Sequence, residues 1–110
     1  MEVKRGDVIT VVIPGDYGKP RPAVVVQSDF FEQHPSVTII PITSNLHKTP
    51  LFRVTIQPDP TNGLRKPSQI MIDKIMTIAR ARIGSRVGVL DRGTMLEVSR
   101  RLAVFLGLAG

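Results

Sequence analysis

The feature that most constrains this 110-residue chain is the punctuation of its apolar runs. Nine prolines and nine glycines cut it into short, β-branched segments. Val8-Ile9-Thr10-Val11-Val12-Ile13 stops at Pro14-Gly15, and residues 23–27 and 37–42 are similar runs bounded by turn formers. Short runs of Val, Ile and Thr between such residues read as strands, and unbroken apolar ones belong in the middle of a sheet. Residues 51–57 alternate instead. Phe52, Val54 and Ile56 fall on one side and Arg53, Thr55 and Gln57 on the other, as a half-buried strand requires. The turn-rich 58–63 segment ends that strand. Gln69-Ile70-Met71-Ile72-Asp73 and Ile75-Met76-Thr77-Ile78 read as one further strand, interrupted at Asp73-Lys74 by a bulge that re-aims a side chain. Residues 87–90 make a last short strand.

The C-terminal stretch has a different period. Thr94 and Glu97 form a T-x-x-E capping box, and Met95, Val98, Leu102 and Phe105 recur at helical spacing. Glu97, Arg100 and Arg101 occupy the opposite side, and Gly107 suits the left-handed residue after a helix. Short strands followed by one amphipathic helix predict a mainly β, α+β fold: a small, strongly curved antiparallel barrel with the helix packed against it. With 42% hydrophobic residues, a chain of this length builds one core, so residues 1–110 are expected to form a single domain.

Several chemistries are excluded or disfavoured. Without cysteine there is no disulfide, thiolate metal site or cysteine nucleophile, which suits a reducing compartment. His34 and His47 both fall in predicted loops, and no carboxylate cluster accompanies them, so no metal site is expected. As an acid-base pair for RNA cleavage the two histidines remain an alternative to plain surface residues. No nucleophile elbow, phosphate-binding glycine loop or dinucleotide fingerprint occurs, and no cofactor is expected. The charged start, residues 1–7, runs directly into a strand-like segment and lacks the pattern of a signal peptide, and no apolar run is long enough to span a membrane. A cytoplasmic location is the expectation.

Fifteen Lys and Arg against nine Asp and Glu give a formal charge of +6, which favours polyanionic partners and nucleic acid first among them. The bases cluster as Lys4/Arg5, Lys19/Arg21, Arg65/Lys66, Arg80/Arg82/Arg86 and Arg100/Arg101. Each pair alone reads as solvated surface, and only convergence in space makes a binding groove.

Two segments tie an apolar run to polar side chains at one of its ends: Arg21-Pro22-Ala23-Val24-Val25-Val26 and Pro41-Ile42-Thr43-Ser44. An arginine and two hydroxyls so placed can hold a phosphate. RNA is cut without a metal when its own 2′-hydroxyl attacks the adjacent phosphorus. The protein then supplies a base, donors for the phosphorane oxygens and a way to protonate the leaving oxygen. Arg21 suits the charge role through its rigid donor fork, although arginine is a poor proton donor. Thr43 and Ser44 add hydroxyl donors, and Asp73 is a candidate base.

With Lys4-Arg5-Gly6-Asp7-Val8 before them and Asp73-Lys74-Ile75-Met76-Thr77-Ile78 and Leu106-Gly107-Leu108 after, the two segments make the chain resemble, over nearly its whole length, the MazF/PemK family of toxin endoribonucleases. The resemblance implies an SH3-like, CcdB-like barrel and assigns Arg21 and Thr43 to the active site. It implies metal-independent, sequence-specific cleavage of single-stranded mRNA to 2′,3′-cyclic phosphate and 5′-hydroxyl ends, a cognate antitoxin and a homodimer. Some members place an aspartate base at the position of Asp73 with an arginine acid two residues earlier, where this chain has Met71. Arg80 and Arg82 resemble a basic family segment and are candidate RNA contacts. Where the family commonly reads Glu-Gln-x-Gly-x-Arg-Pro, this chain reads Asp16-Tyr17-Gly18-Lys19-Pro20-Arg21-Pro22. Asp16 then stands for the glutamate. Tyr17 is a candidate base-stacking residue and Lys19 a further RNA contact. Two other readings remain: a CcdB-like toxin that binds gyrase, disfavoured by the absence of tryptophan, and a nucleic-acid-binding barrel without catalysis.

Overall fold

The computed structural model describes residues 2–110. Seven antiparallel strands and one helix follow in order: β1 (Asp7–Val12), β2 (Pro20–Val25), β3 (Ser36–Thr43), β4 (Arg53–Ile56), β5 (Ser68–Met71), β6 (Met76–Ala79), β7 (Ile83–Val89) and α1 (Arg92–Phe105). The strands pair as β4-β5-β3-β2-β1-β7, with β6 beside β3.

β3 organises this sheet. One of its edges pairs with β2, Ala23 opposite Pro41 and Val25 opposite Ile39. Its other edge is shared: Ser36 to Ile39 pair with β6, and Ile42 and Thr43 pair with β5. Pro41, which has no N–H to donate, falls at the break between these two partners.

The central strands are buried on both faces, which explains their unbroken apolar runs. Val8, Val24, Ile40, Ile42, Ile70 and Ile72 pack on one side with Val98 of α1, while Ile9, Val11, Val25, Val37, Ile39 and Ile78 pack on the other. Burying each such side chain stabilises the fold by about 1.5–3 kcal/mol before conformational entropy is set against it. Register shifts between β1 and β7 at Val8, Ile9 and Val11 bend the sheet strongly. The sheet curls like a barrel wall without closing, since the pairing ends at β4 and β7. The mainly β fold with a C-terminal helix is the expected one.

Three local expectations are corrected. Asp73-Lys74 is not a bulge within one strand: a 3-10 turn over Ile72–Lys74 separates β5 from β6, and the Ile75 amide closes it by donating to the Ile72 carbonyl at 3.3 Å. The last strand is the seven-residue β7 rather than residues 87–90, and its edge is completed by the 58–63 turn, whose Thr61 carbonyl accepts from the Val89 amide at 3.0 Å. The helix begins a turn earlier than the Thr94 box implies. Asp91 is the N-cap, its Oδ1 accepting from the Thr94 amide at 2.6 Å, and Glu97 instead pairs with Arg101 at 2.7 Å. Asp91 wins because a carboxylate at the cap also faces the positive end of the helix dipole. Val98 is the fully buried anchor of α1, whereas Phe105 is 48% exposed. Gly107, at φ +76°, ends the helix as expected. Among the described residues no helix is long and apolar enough to cross a membrane.

Candidate active site

The register of β2, β3 and β5 brings distant residues to one end of the sheet. Arg21 lies in β2 opposite Val11 of β1, two residues before the Ala23–Val25 run that pairs with β3, and Thr43, the last residue of β3, lies opposite Gln69 of β5. The β1–β2 loop folds over this end through two successive turns, the Asp16 amide donating to the Ile13 carbonyl at 3.1 Å and the Lys19 amide to the Asp16 carbonyl at 3.0 Å. A concavity of about 880 Å³ results. Its lining includes Asp16, Lys19 and Arg21, Thr43 and Ser44, then Arg65, Lys66 and Ser68, with Met71 also present.

The concavity therefore holds four cations and one carboxylate. That carboxylate is turned onto Arg21: Asp16 Oδ2 lies 3.3 Å from Arg21 Nε. A contact at Nε fixes the guanidinium plane and leaves both terminal nitrogens for an anion, the geometry that suits bidentate phosphate binding. Thr43 Oγ1 accepts from the Asn45 amide at 3.1 Å, which leaves its hydroxyl proton as a donor. Ser44 is exposed beside it.

The loop after Ser44 is held from below by Gln69, which is buried. Its Oε1 accepts from the His47 amide and from Arg53 Nη1, both at 2.9 Å. Its Nε2 donates to the His47 carbonyl at 2.9 Å and to Thr55 Oγ1 at 3.2 Å. Arg53 Nη1 also donates to the Asn45 carbonyl at 2.9 Å. Every polar atom of this carboxamide is satisfied, so the hydroxyl pair stands on a rigid support.

Of the candidate residues, Asp16, Lys19, Arg21, Thr43 and Ser44 come together here, and the others do not line the concavity. Tyr17 projects fully exposed from the loop tip, in a left-handed backbone at φ +54° that is uncommon for a non-glycine residue. Asp73 sits on the 3-10 turn just beyond Met71, with Oδ1 buried and without a hydrogen-bond partner. Arg80 donates from Nη2 to the carbonyls of Glu32 and His34, at 2.9 and 2.8 Å, so its guanidinium braces the loop before β3. Arg82 is exposed on the same short turn. Neither histidine lines the concavity, and His34 Nδ1 accepts from the Ser36 amide at 3.0 Å. Among the described residues no group of three or more His, Cys, Asp or Glu side chains is arranged to hold a metal ion.

Apart from Arg82, the side chains of the other basic clusters are occupied elsewhere. Lys4 binds Glu32, a hydrogen bond that holds its ammonium above the ordinary lysine range, and Arg5 donates to the Val26 carbonyl and to Ser99 Oγ. Arg86 Nε lies 3.1 Å from the buried carboxylate of Asp7, and Arg100 and Arg101 both face Glu97. Of the five clusters, Lys19/Arg21 and Arg65/Lys66 are the two that converge. Sequence reasoning noted the second as charge but did not place it at the site, because 44 residues of chain separate Arg21 from Arg65.

A protein from Mycolicibacterium smegmatis named "Probable endoribonuclease MazF" is 43% identical over 109 residues, covering 98% of this chain and all of that one. A Staphylococcus epidermidis protein named "Endoribonuclease MazF" is 30% identical, covering 96% of this chain and 92% of its own. A solved structure described as an endoribonuclease in complex with its cognate antitoxin from Mycobacterial species shares the fold at a TM-score of 0.82 and 23% identity, with 98% of each chain covered. The family model for the PemK-like, MazF-like toxin of type II toxin-antitoxin systems matches residues 4–106, and the chain belongs to that family.

Proposed function

We propose that this chain is a sequence-specific, metal-independent endoribonuclease that cuts single-stranded mRNA and so arrests translation and growth. One observation carries the reading: Arg21, Thr43 and Ser44, far apart in sequence, line one cationic concavity in which Asp16 orients the Arg21 guanidinium. The relatives named endoribonucleases support it.

The RNA 2′-oxygen attacks the neighbouring phosphorus, forming the 2′-O–P bond as the P–O5′ bond breaks. The terminal nitrogens of Arg21 hold the non-bridging oxygens as negative charge builds on them, and the Thr43 and Ser44 hydroxyls add donors. The 2′-hydroxyl proton passes to a carboxylate: Asp73 holds that place in some family members but lies outside the concavity here, whereas Asp16 lines it beside Arg21. The leaving 5′-oxygen takes a proton from water reaching the open concavity, since the Met71 thioether has none to give. The products are a 2′,3′-cyclic phosphate and a 5′-hydroxyl end.

The same reading makes residues 1–110 one toxin domain that works in the cytoplasm as a homodimer and is held inactive by a cognate antitoxin, as the solved complex of a structural neighbour suggests by its description. Met71 in the lining favours one second reading, a barrel that binds RNA without cutting it.

The test is incubation of purified protein with a long single-stranded RNA in excess EDTA, with fragment ends determined by mass spectrometry and Arg21→Ala and Thr43→Ala run in parallel. Cyclic-phosphate ends that both substitutions suppress are the expected result. Intact RNA bound by well-folded protein selects the second reading.

A further inference from the structure

We propose that Arg65 and Lys66 form a second phosphate-binding wall that holds the backbone phosphate next to the one being cut. The inference rests on the endoribonuclease reading and extends it to a part of the chain that reading does not use.

Thr43 ends β3 with β2 on one side and β5 on the other. Arg21 and Lys19 therefore stand on its β2 side, while Arg65 and Lys66, just before β5, stand on the opposite flank of the same concavity. A polynucleotide laid across Thr43 must pass both flanks.

The segment that carries Arg65 and Lys66 is rigid. Asn62, buried, accepts from the Leu64 amide at 2.9 Å and donates to the Gln57 carbonyl at 2.9 Å. Leu64 packs against the core that α1 covers, and the buried Ser68 hydroxyl donates to the Lys66 carbonyl at 2.8 Å. Gly63, at φ +71°, lies against the β7 backbone so closely that a Cβ there would meet the Val87 carbonyl oxygen at 2.1 Å. Two flexible cationic side chains thus project from a backbone fixed at both ends, which lowers the ordering cost of binding.

Charge gives the second argument. Among the described residues, Lys4, Arg86, Arg100 and Arg101 of the other clusters face Glu2, Glu32, Asp7 or Glu97, Arg5 and Arg80 donate to backbone carbonyls, and Arg82, which makes no ion pair, lies outside the concavity. Arg65 and Lys66 are exposed and make no ion pair among the described residues. Two adjacent cations without a counter-charge, in a concavity already cationic, are matched by a phosphodiester. Contact with a phosphate that does not react strengthens ground state and transition state alike, so the wall acts on KM and not on kcat.

The experiment compares wild type with Arg65→Ala/Lys66→Ala and with Arg92→Ala/Arg100→Ala, a control that removes two exposed helix charges outside the concavity. Thermal melts establish that each variant is folded, and Arg65→Glu/Lys66→Glu gives a second, stronger perturbation. Two readouts are taken: cleavage kinetics on RNA, and affinity for a mixed-sequence 2′-O-methyl oligoribonucleotide, which lacks the attacking hydroxyl, across a salt series. The expected result is a KM raised about tenfold or more with kcat unchanged. The slope of log affinity against log salt should also become shallower by about 0.7, the value for one phosphate contact on a single strand. Kinetics and slope equal to those of the control pair overturn the proposal. If wild type cuts no RNA but the slope still falls, the wall stands and the cleavage reading fails. If Arg21→Ala abolishes cleavage but the slope is unmoved, the reverse holds.

Discussion

Asp16 Oδ2 lies 3.3 Å from Arg21 Nε, five residues away across a loop that turns twice. The carboxylate reaches the guanidinium from its side, a geometry that keeps the terminal nitrogens for an anion. A glutamate is one methylene longer, and the tight turns at Gly15 and Gly18, with φ of +95° and +75°, shorten the path that the aspartate must cover.

That contact predicts a graded response. Asp16→Asn keeps the side-chain length and removes the charge, so single-turnover cleavage should slow about 10- to 100-fold through loss of Arg21 orientation. Arg21→Ala should slow it by about 10²–10³-fold or more, as expected for loss of a donor to developing charge. Arg21→Lys should not rescue activity, because a point charge cannot take the carboxylate and two phosphate oxygens together.

Gln69 predicts a loss of stability that reports on the active-site loop. Gln69→Leu fills the space but leaves the His47 amide and carbonyl and an Arg53 donor without their partner. The expected cost is about 1–3 kcal/mol for each group that water cannot reach, measured by urea unfolding. Amide exchange at Asn45 and His47 should rise more than exchange in β1. Unchanged protection at these amides would show that the loop holds itself.

Gly88 predicts how tightly the 58–63 turn seats on β7. A Cβ there would meet the Asn62 carbonyl carbon and oxygen, both at 2.4 Å. Backbone cannot rotate out of the way as a side chain can, so Gly88→Ala should destabilise by about 1–3 kcal/mol. It should also raise KM for RNA by shifting Arg65 and Lys66, which follow that turn. Chemical denaturation and the KM-against-kcat split check both effects.

Asp91 predicts a pH dependence. The Thr94 amide donates to its carboxylate and holds it below the ordinary aspartate value of 3.8. A carboxyl depressed in the folded state contributes stability above its unfolded value and loses it as pH falls through the folded value. Asp91→Ala should therefore lower Tm at neutral pH, and the gap from wild type should narrow as the medium is taken below that range. A gap that persists in acid would mean the cap does not depend on charge.

Ile40 measures the two-sided core. It is fully buried in β3, between β2 and the helix-covered face, and Ile40→Ala should cost about 2–5 kcal/mol by equilibrium unfolding.

What the sequence revealed follows from the range of the forces involved. β1, β2 and β3 were legible because burial on both faces leaves each strand apolar throughout, and Gly107 because a left-handed residue after a helix has few substitutes. Asp73-Lys74 was misread because a bulge and a 3-10 turn look alike until the partner strands are known, and here β3 accepts both β5 and β6. The helix start was misread because Asp91 and Thr94 both cap well, and the winner also met the dipole. The expected convergence of Arg21, Thr43 and Ser44 was carried by short segments. The joining of Arg65 and Lys66 to them is a property of strand order, which no local pattern encodes. Arg80 shows the reverse, since only the folded chain reveals that loop carbonyls occupy its donors.

The sharing of one β3 edge by β5 and β6 also sets a condition on synthesis. A nascent chain released before Ser68 already carries Arg21 and Thr43, yet β3 has nothing to complete its second edge, and Ile40 and Ile42 lack the Ile70 and Ile72 side chains that cover them. Such a fragment has Arg21 and Thr43 without the framework that gathers them. Released midway through the message, the chain is expected to lack the concavity, which waits for the last two-fifths or so of the sequence.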